Sequence, residues 1–302
     1  MKQKVIMDVD TGCDDAVAML LAGHHPNMEL VAVLPVHGNA PLTQTLDNSL
    51  RLLCAGKLEH VPVYTGASHP LIGPILAGDG DQVIKLPFPE PTIKPQPKHA
   101  VNFLIDYYMS GEGKDTIYMP IGPLTNLGLA LRIEPRLKEK IPQIVTMGGA
   151  YATSFAEFNI KADPEAAFIV YSAGIPIKMI GLEVTDVAKV MQKDVDSIRK
   201  IQTPWAIAAA DVMDIVVDIH TKHFGHEGGI IFDACAVAAV IEPSVVKTAP
   251  MHIDIELTGT NTRGCTAVAS RFHGSGEKNA NVDVGISIDR ERFIEIMHES
   301  LR

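Results

Sequence analysis

MDVDTGCDDAVAMLLA, residues 7–22, follows the apolar run Val5–Met7 and places four aspartates, Asp8, Asp10, Asp14 and Asp15, within eight positions. An apolar strand that runs into an acidic turn, and then into the apolar body of a helix over Ala16–Ala22, is how a parallel α/β sheet begins. The same alternation continues downstream. Strands are expected at Leu30–Val36, Val61–Tyr64, Thr116–Ile121, Ile144–Met147 and Ile177–Val184. Helices are expected at Thr43–Ala55, 98–110, Leu124–Leu131 and Pro164–Ser172. Short apolar strands alternating with helices predict an open, mostly parallel sheet with helices on both faces.

After residue 185 the rhythm loosens. A long helix is expected over Trp205–Phe224 and a short one over Ala234–Val240. Segments 252–257, 265–270 and 282–288 read as strands, and an amphipathic helix begins at Arg290. Between Ser68 and Pro97 lie seven prolines and little periodicity, the composition of a functional loop or lid. With no repeat or linker, residues 1–302 read as a single domain.

Composition narrows the function. Twenty-six Lys and Arg against 36 Asp and Glu give a net charge of −10, and no basic run reverses it locally. Nucleic acid and anionic membranes are therefore not expected partners. Four scattered cysteines (Cys13, Cys54, Cys235, Cys265) form no C-x-x-C pair, and three sit in apolar runs as buried thiols would. The first residues run directly into a strand and no apolar stretch approaches membrane-spanning length, so a cytoplasmic location is expected.

Thr11-Gly12-Cys13-Asp14 fits a helix capping box, which accounts for Asp14 and extends naturally to Asp15. It does not account for Asp8 and Asp10, which leave the carboxyl end of a strand, where such sheets bind ligands. A cation relieves this crowding. Aspartates without His or Cys make a hard oxygen site suited to Ca²⁺ or Mg²⁺. Phosphoryl transfer of the haloacid-dehalogenase type uses a D-x-D-x-[TV] loop that DVDTG approaches, but it gives Asp14-Asp15 no role. Metal-activated water acting on a non-phosphate substrate does.

The motif D-x-D-x-G-x-D-D resembles the nucleoside hydrolase family, the inosine-uridine-preferring ribohydrolases. The likeness extends through Val36–Asn39, Gly122-Pro123-Leu124-Thr125-Asn126 and Met147-Gly148-Gly149. It continues through Ala156-Glu157-Phe158-Asn159, Asp163-Pro164-Glu165-Ala166-Ala167, Gly181-Leu182-Glu183-Val184-Thr185 and Asp233-Ala234-Cys235-Ala236-Val237. The resemblance implies Ca²⁺ held by Asp10, Asp15, Asp233 and the Ile121 carbonyl, with Asp10 as base for the attacking water. It implies that Asp14, Asn39, Glu157, Asn159 and Asp233 hold the hydroxyls of a ribonucleoside, with Met147 near the sugar. A homodimer or homotetramer is implied as well. Asp8 is expected to orient the ligands from behind or to cap the helix.

The base side departs from the family. Where many relatives carry a proton-donating His, this chain has Phe232, which can stack on a base or pack into the core. His220, His223 and His226 are alternative donors, His220 the foremost. Ala77-Gly78-Asp79-Gly80-Asp81 lacks the family's loop His. The Tyr151–Phe155 segment is short and lacks an Asn for the 5′-hydroxyl, leaving Tyr151 or Ser154 as substitutes. The expected activity is Ca²⁺-dependent hydrolysis of the N-glycosidic bond. The alternatives are an unusual N-riboside with a good leaving group, or a ribose-binding protein without catalysis.

Overall fold

The structure is a computed structural model that describes residues 2–76, 85–268 and 280–302. The first half of the chain alternates strand and helix: β1 (Gln3–Val9), α1 (Cys13–His24), β2 (Met28–Pro35) and α2 (Leu42–Ala55). It continues with α3 (Ala100–Met109), β3 (Thr116–Pro120), α4 (Thr125–Ile133), β4 (Ile144–Met147), α5 (Phe158–Ala162) and α6 (Pro164–Tyr171). Then follow β5 (Ile177–Ile180), α7 (Leu182–Thr185), β6 (Lys189–Val190), α8 (Gln192–Arg199), α9 (Pro204–Phe224), β7 (Gly229–Ile230) and α10 (Phe232–Ile241). The chain closes with β8 (Val246–Met251), β9 (Ile253–Ile255), β10 (Thr266–Val268), β11 (Val282–Ile288) and α11 (Arg290–Leu301).

Seven strands form one sheet in the order β2-β1-β3-β4-β5-β11-β8, parallel throughout except for the β11–β8 pair. Strand alternation sorts the core into two layers. Val5, Met7 and Val9 face the layer that includes α1, α9, α10 and α11, whereas Ile6 faces the layer of α3, α4 and α6. The open parallel sheet with helices on both faces is as expected. From β1 the chain crosses to β2 on one side and later to β3 on the other, so the carboxyl ends of β1 and β3 flank a topological switch point. Ligands of doubly wound sheets bind there.

Several expectations need correction. Val61–Tyr64 makes only isolated bridges, Val33 to Val63 and Tyr64 to Gln96. Pro62 sits inside the segment without an N–H to give, which stops a continuous ladder. The strand from Ile177 ends at Ile180, because Gly181 begins the helical turn α7. Segments 252–257 and 265–270 contribute β9 and β10, which pair with each other as a separate antiparallel ribbon, and only 282–288 joins the main sheet. Residues 269–279 lie outside the described residues, as do 77–84, which contain the Ala77–Asp81 departure. Cys13, Cys235 and Cys265 are buried and all four cysteines are free thiols. Among the described residues no helix is long and apolar enough to cross a membrane.

Candidate active site

The helix cap at α1 is shifted by one residue from the sequence reading. Gly12 is the N-cap, and its N–H donates to Asp15 Oδ2 at 2.9 Å. Thr11 Oγ1 instead lies 2.6 Å from Ser49 Oγ. Asp15 therefore closes the first turn, and Asp14, one residue earlier, is free to face outward. Asp15 also accepts from Asp10 N–H (3.1 Å) and Asn39 Nδ2 (3.2 Å).

Asp10 leaves the end of β1 and is held by Asn39 N–H, 2.7 Å from its Oδ2. Its other oxygen, Oδ1, is buried and has no hydrogen-bond partner. Two glycines make room for this carboxylate. A Cβ on Gly122 would stand 2.6 Å from Asp10 Oδ1, and one on Gly38 would strike Oδ2. Asp233, in the first turn of α10, likewise has a buried, unpartnered Oδ1. Carboxylate oxygens of Asp14, Asp15 and Asp233 all lie within 4.8 Å of one another.

That crowding is costly without a counter-charge: each ionised pair repels by roughly 3–4 kcal/mol at an effective dielectric near 20. Burial pushes the carboxyl of Asp15 up to about 8, with Asp14 adding to the shift. Burial and the charge of Asp15 hold Asp10 well above the usual carboxylate range. Burial also raises Asp14 and Asp233, and for Asp233 the neighbouring charges of Asp14, Asp15, Asp10 and Glu157 add to it. The N-termini of α1 and α10 both meet this cluster, so their dipoles offset part of the repulsion.

Asp8 does not cap α1. Its side chain accepts from Tyr118 Oη, a very short contact, and from Asn126 Nδ2 at 2.9 Å, which ties β1 to β3 and α4. Its main-chain carbonyl accepts Ile121 N–H at 2.8 Å and so holds the Ile121 segment from behind. Complete burial raises its carboxyl to about 7. Asn126 in turn accepts from Ala67 N–H (2.8 Å). Thr125 Oγ1 donates to Asp163 Oδ2 (2.7 Å), so the 3.0 Å contact with His37 Nε2 requires that nitrogen to carry the proton. Asp163 caps α6 through Ala166 N–H and also accepts Leu71 N–H. Thr125, Asn126 and Asp163 therefore build the floor and do not line the cavity.

A cavity of about 260 Å³ opens at the carboxyl edge, lined by Asp10, Asp14, Asn39, Ile121, Met147 and Asp233, and on the far side by Glu157 and Asn159. Glu157 is the N-cap of α5, accepting from Asn159 N–H (2.9 Å), Gly149 N–H (2.9 Å) and Ile160 N–H (3.1 Å). Asn159 Nδ2 donates to the Ile121 carbonyl at 2.8 Å. A carbonyl has a second lone pair, so that oxygen keeps one position for a cation. Phe155, Phe158 and Leu182 also line this cavity. No sequence signal marks them: Phe155 is a lone hydrophobe in a polar loop, and Phe158 and Leu182 open the short helices α5 and α7.

A second cavity of about 570 Å³ adjoins the first and shares Asp14, Asn39 and Phe232 with it. His220 and Phe224 line it. The His220 and Phe232 rings are 6.3 Å apart, and His220 meets Phe224 and His226 edge-on. Phe232 both packs against the core and borders the two cavities. Of the three candidate histidines His220 alone lines either cavity, while His223 and His226 are exposed. Neither Tyr151 nor Ser154 lines the sugar-sized cavity: Tyr151 packs against the core, and Ser154 is exposed.

The sequence and the fold are similar to those of known proteins. Residues 5–295 match the family described as inosine-uridine preferring nucleoside hydrolase. The chain is 35% identical over 310 aligned residues to the pyrimidine-specific ribonucleoside hydrolase RihB of Shigella flexneri serotype 5b (strain 8401), covering 100% of this chain and 97% of the relative. Its structure is similar to the purine-preferring ribonucleoside hydrolase from Gardnerella vaginalis, with TM-score 0.90 and 31% identity over 99% of this chain and 98% of that one. An inosine-guanosine nucleoside hydrolase gives TM-score 0.85 at 28% identity, covering 99% and 98% of the two chains. The chain belongs to the inosine-uridine preferring nucleoside hydrolase family.

Proposed function

We propose that this enzyme hydrolyses the N-glycosidic bond of ribonucleosides to free base and ribose, with Ca²⁺ as its cofactor. The observation that carries the reading is the single cavity into which remote segments of the chain bring Asp10, Asp14, Asn39, Glu157, Asn159 and Asp233. The donor set fits a hard divalent cation. It is all oxygen, and two of its carboxylate oxygens, Asp10 Oδ1 and Asp233 Oδ1, are buried without partners. Asp10, Asp15, Asp233 and the Ile121 carbonyl would hold the ion, with Asp14 beside them. When bound, such an ion lowers the pKa of water and orients it.

Asp10 takes the proton from the attacking water, the position for which its unpartnered Oδ1 is suited. The carboxylates around it face a sugar ring that gains positive charge as the bond to the base breaks. Asp14, Asn39, Glu157, Asn159 and Asp233 hold the ribose hydroxyls, and Met147 packs near the sugar. A site built to hold a 2′-hydroxyl rejects the 2′-deoxy analogue by about 10⁴-fold or more, since its buried polar groups are then left unpaired. Free-base release from uridine and inosine against their 2′-deoxy counterparts tests this. Equal rates on both would overturn the ribose assignment. Ribose binding with no base released over hours would instead indicate a binding protein without catalysis.

On the base side we assign His220 as the proton donor to the departing base and Phe232 as the face on which the base lies. Both line the second cavity. Burial, with His226 and Lys189 nearby, keeps the His220 imidazole below its ordinary pKa, so its acidic form becomes more populated as the pH falls. His220→Ala is expected to slow hydrolysis of inosine by about 10²–10⁴-fold and to leave p-nitrophenyl riboside unaffected, because that leaving group needs no proton. Equal effects on both would exclude His220 and favour an N-riboside whose leaving group departs unassisted. The assembly that goes with this reading is a homodimer or homotetramer.

A further inference from the structure

Glu157 stands at the end of a connection, Gly149–Ala156, that has no regular secondary structure of its own. Two of the N–H groups its carboxylate accepts, from Asn159 and Ile160, belong to the helix it caps and travel with it. The third, from Gly149, comes from the turn that leaves β4. That bond fixes the carboxylate relative to the sheet, and therefore relative to Asp10 just past the end of β1.

The end of the β9–β10 ribbon is laid against this connection. Arg263 Nη2 donates to both carboxylate oxygens of Glu165 in α6, at 2.7 and 2.8 Å. The Cys265 thiol donates to the Ser154 carbonyl at 3.0 Å. Thr266, which is buried, makes the contact nearest Glu157. Its hydroxyl donates to the Ala150 carbonyl (2.7 Å) and accepts the Ala150 N–H (2.9 Å). Its methyl closes on Gly149, 3.0 Å from where a Cβ would stand there. One side chain from a remote strand thus meets both polar groups of the buried Ala150 backbone. Thr266 itself does not line the cavity.

We propose that Thr266 is a positioning residue for Glu157. By holding Ala150 and closing on Gly149 it places the Gly149 N–H that fixes the Glu157 carboxylate. It thereby sets how strongly the site selects the ribose hydroxyl that Glu157 holds. This rests on the nucleoside hydrolase reading above. Thr266→Val keeps the shape and the methyl but leaves both Ala150 groups without this partner, so the buried peptide must turn to find another. A group placed to bind substrate loses on the order of 10²-fold when it is displaced by about 1 Å. Thr266→Ser keeps the hydroxyl and so holds the peptide where it is.

The test compares kcat/KM for the better of uridine and inosine with its 2′-, 3′- and 5′-deoxy analogues. It is run on the wild type, Thr266→Val, Thr266→Ser and Glu157→Gln, all in calcium. Glu157→Gln identifies the hydroxyl that Glu157 holds, as the parent-to-deoxy ratio that it lowers. Thr266→Val is expected to lower that same ratio by about tenfold or more and to leave the others within about threefold, with Thr266→Ser close to the wild type. An unmoved ratio in Thr266→Val or Glu157→Gln, a fall in every ratio alike, or an equal loss in Thr266→Ser would overturn the proposal. Arg263→Ala loosens the ribbon at its anchor on α6 without touching Gly149 or Ala150, and a fall equal to that of Thr266→Val would also count against Thr266. If the wild type cleaves no nucleoside, the hydrolase reading fails separately. The affinities of the same pairs, measured by calorimetry, then decide the positioning role by the same criterion.

Discussion

Asp10→Asn is expected to lower the rate of free-base release at saturating calcium by about 10²–10⁴-fold while nucleoside affinity changes only a few-fold. Asparagine has the same shape and fits the space left by Gly38 and Gly122. Its Oδ1 can still accept the Asn39 N–H that Asp10 Oδ2 accepts. What disappears is the ability to take a proton, together with one anionic ligand of the cation, which saturating calcium offsets. The substitution separates catalysis from folding, because it also removes one of the charges that repel one another in the cation-free protein. The carboxyl of Asp10 lies well above its unfolded value, so the folded state holds an extra proton between those two pKa values. Stability of the wild type is therefore lost as the pH rises through that window, and Asp10→Asn escapes the loss. In chelator, the variant's melting temperature should exceed that of the wild type, with a gap that widens from pH 5 to pH 8. Turnover retained within a few-fold would remove Asp10 from the role of base.

Calcium added to the cation-free protein is expected to raise its melting temperature, and by more at pH 8 than at pH 5. Asp10, Asp14, Asp15 and Asp233 are all raised, Asp15 to about 8, against an unfolded carboxyl near 3.9. Protons and the cation compete for the same oxygens, so acid weakens ion binding and alkali strengthens it. At a hundredfold excess over Kd the ion stabilises the fold by about 2.7 kcal/mol. For a chain of this size that corresponds to about 5 °C. Scanning calorimetry at both pH values, with chelator and with calcium, measures it. No shift, or a larger one at pH 5, would contradict a cation site built mainly of carboxylates.

The sequence made the sheet legible because buried parallel strands are short apolar runs between helices, and β1, β3 and β4 have that form. It made the acidic cluster legible because four aspartates at a strand end have few structural uses. What it hid depends on partners distant in the chain. Asp8 reads as a candidate helix cap until Tyr118 and Asn126, more than a hundred residues on, are seen to accompany its side chain. The capping box misled by one position because Thr11 and Gly12 both suit an N-cap, and the Thr11 hydroxyl is taken by Ser49. Pro62 was the visible warning against a strand at Val61–Tyr64. Phe155 had no signal at all, since its role comes from the cavity it borders.

Free-base release from uridine and inosine by the purified protein, measured in calcium, in chelator, and in chelator followed by excess calcium, tests the calcium-dependent hydrolase most directly. Saturable release that is abolished by chelation and restored by the added ion is the expected result. Release that persists in chelator, or no release from any ribonucleoside in calcium, would contradict it.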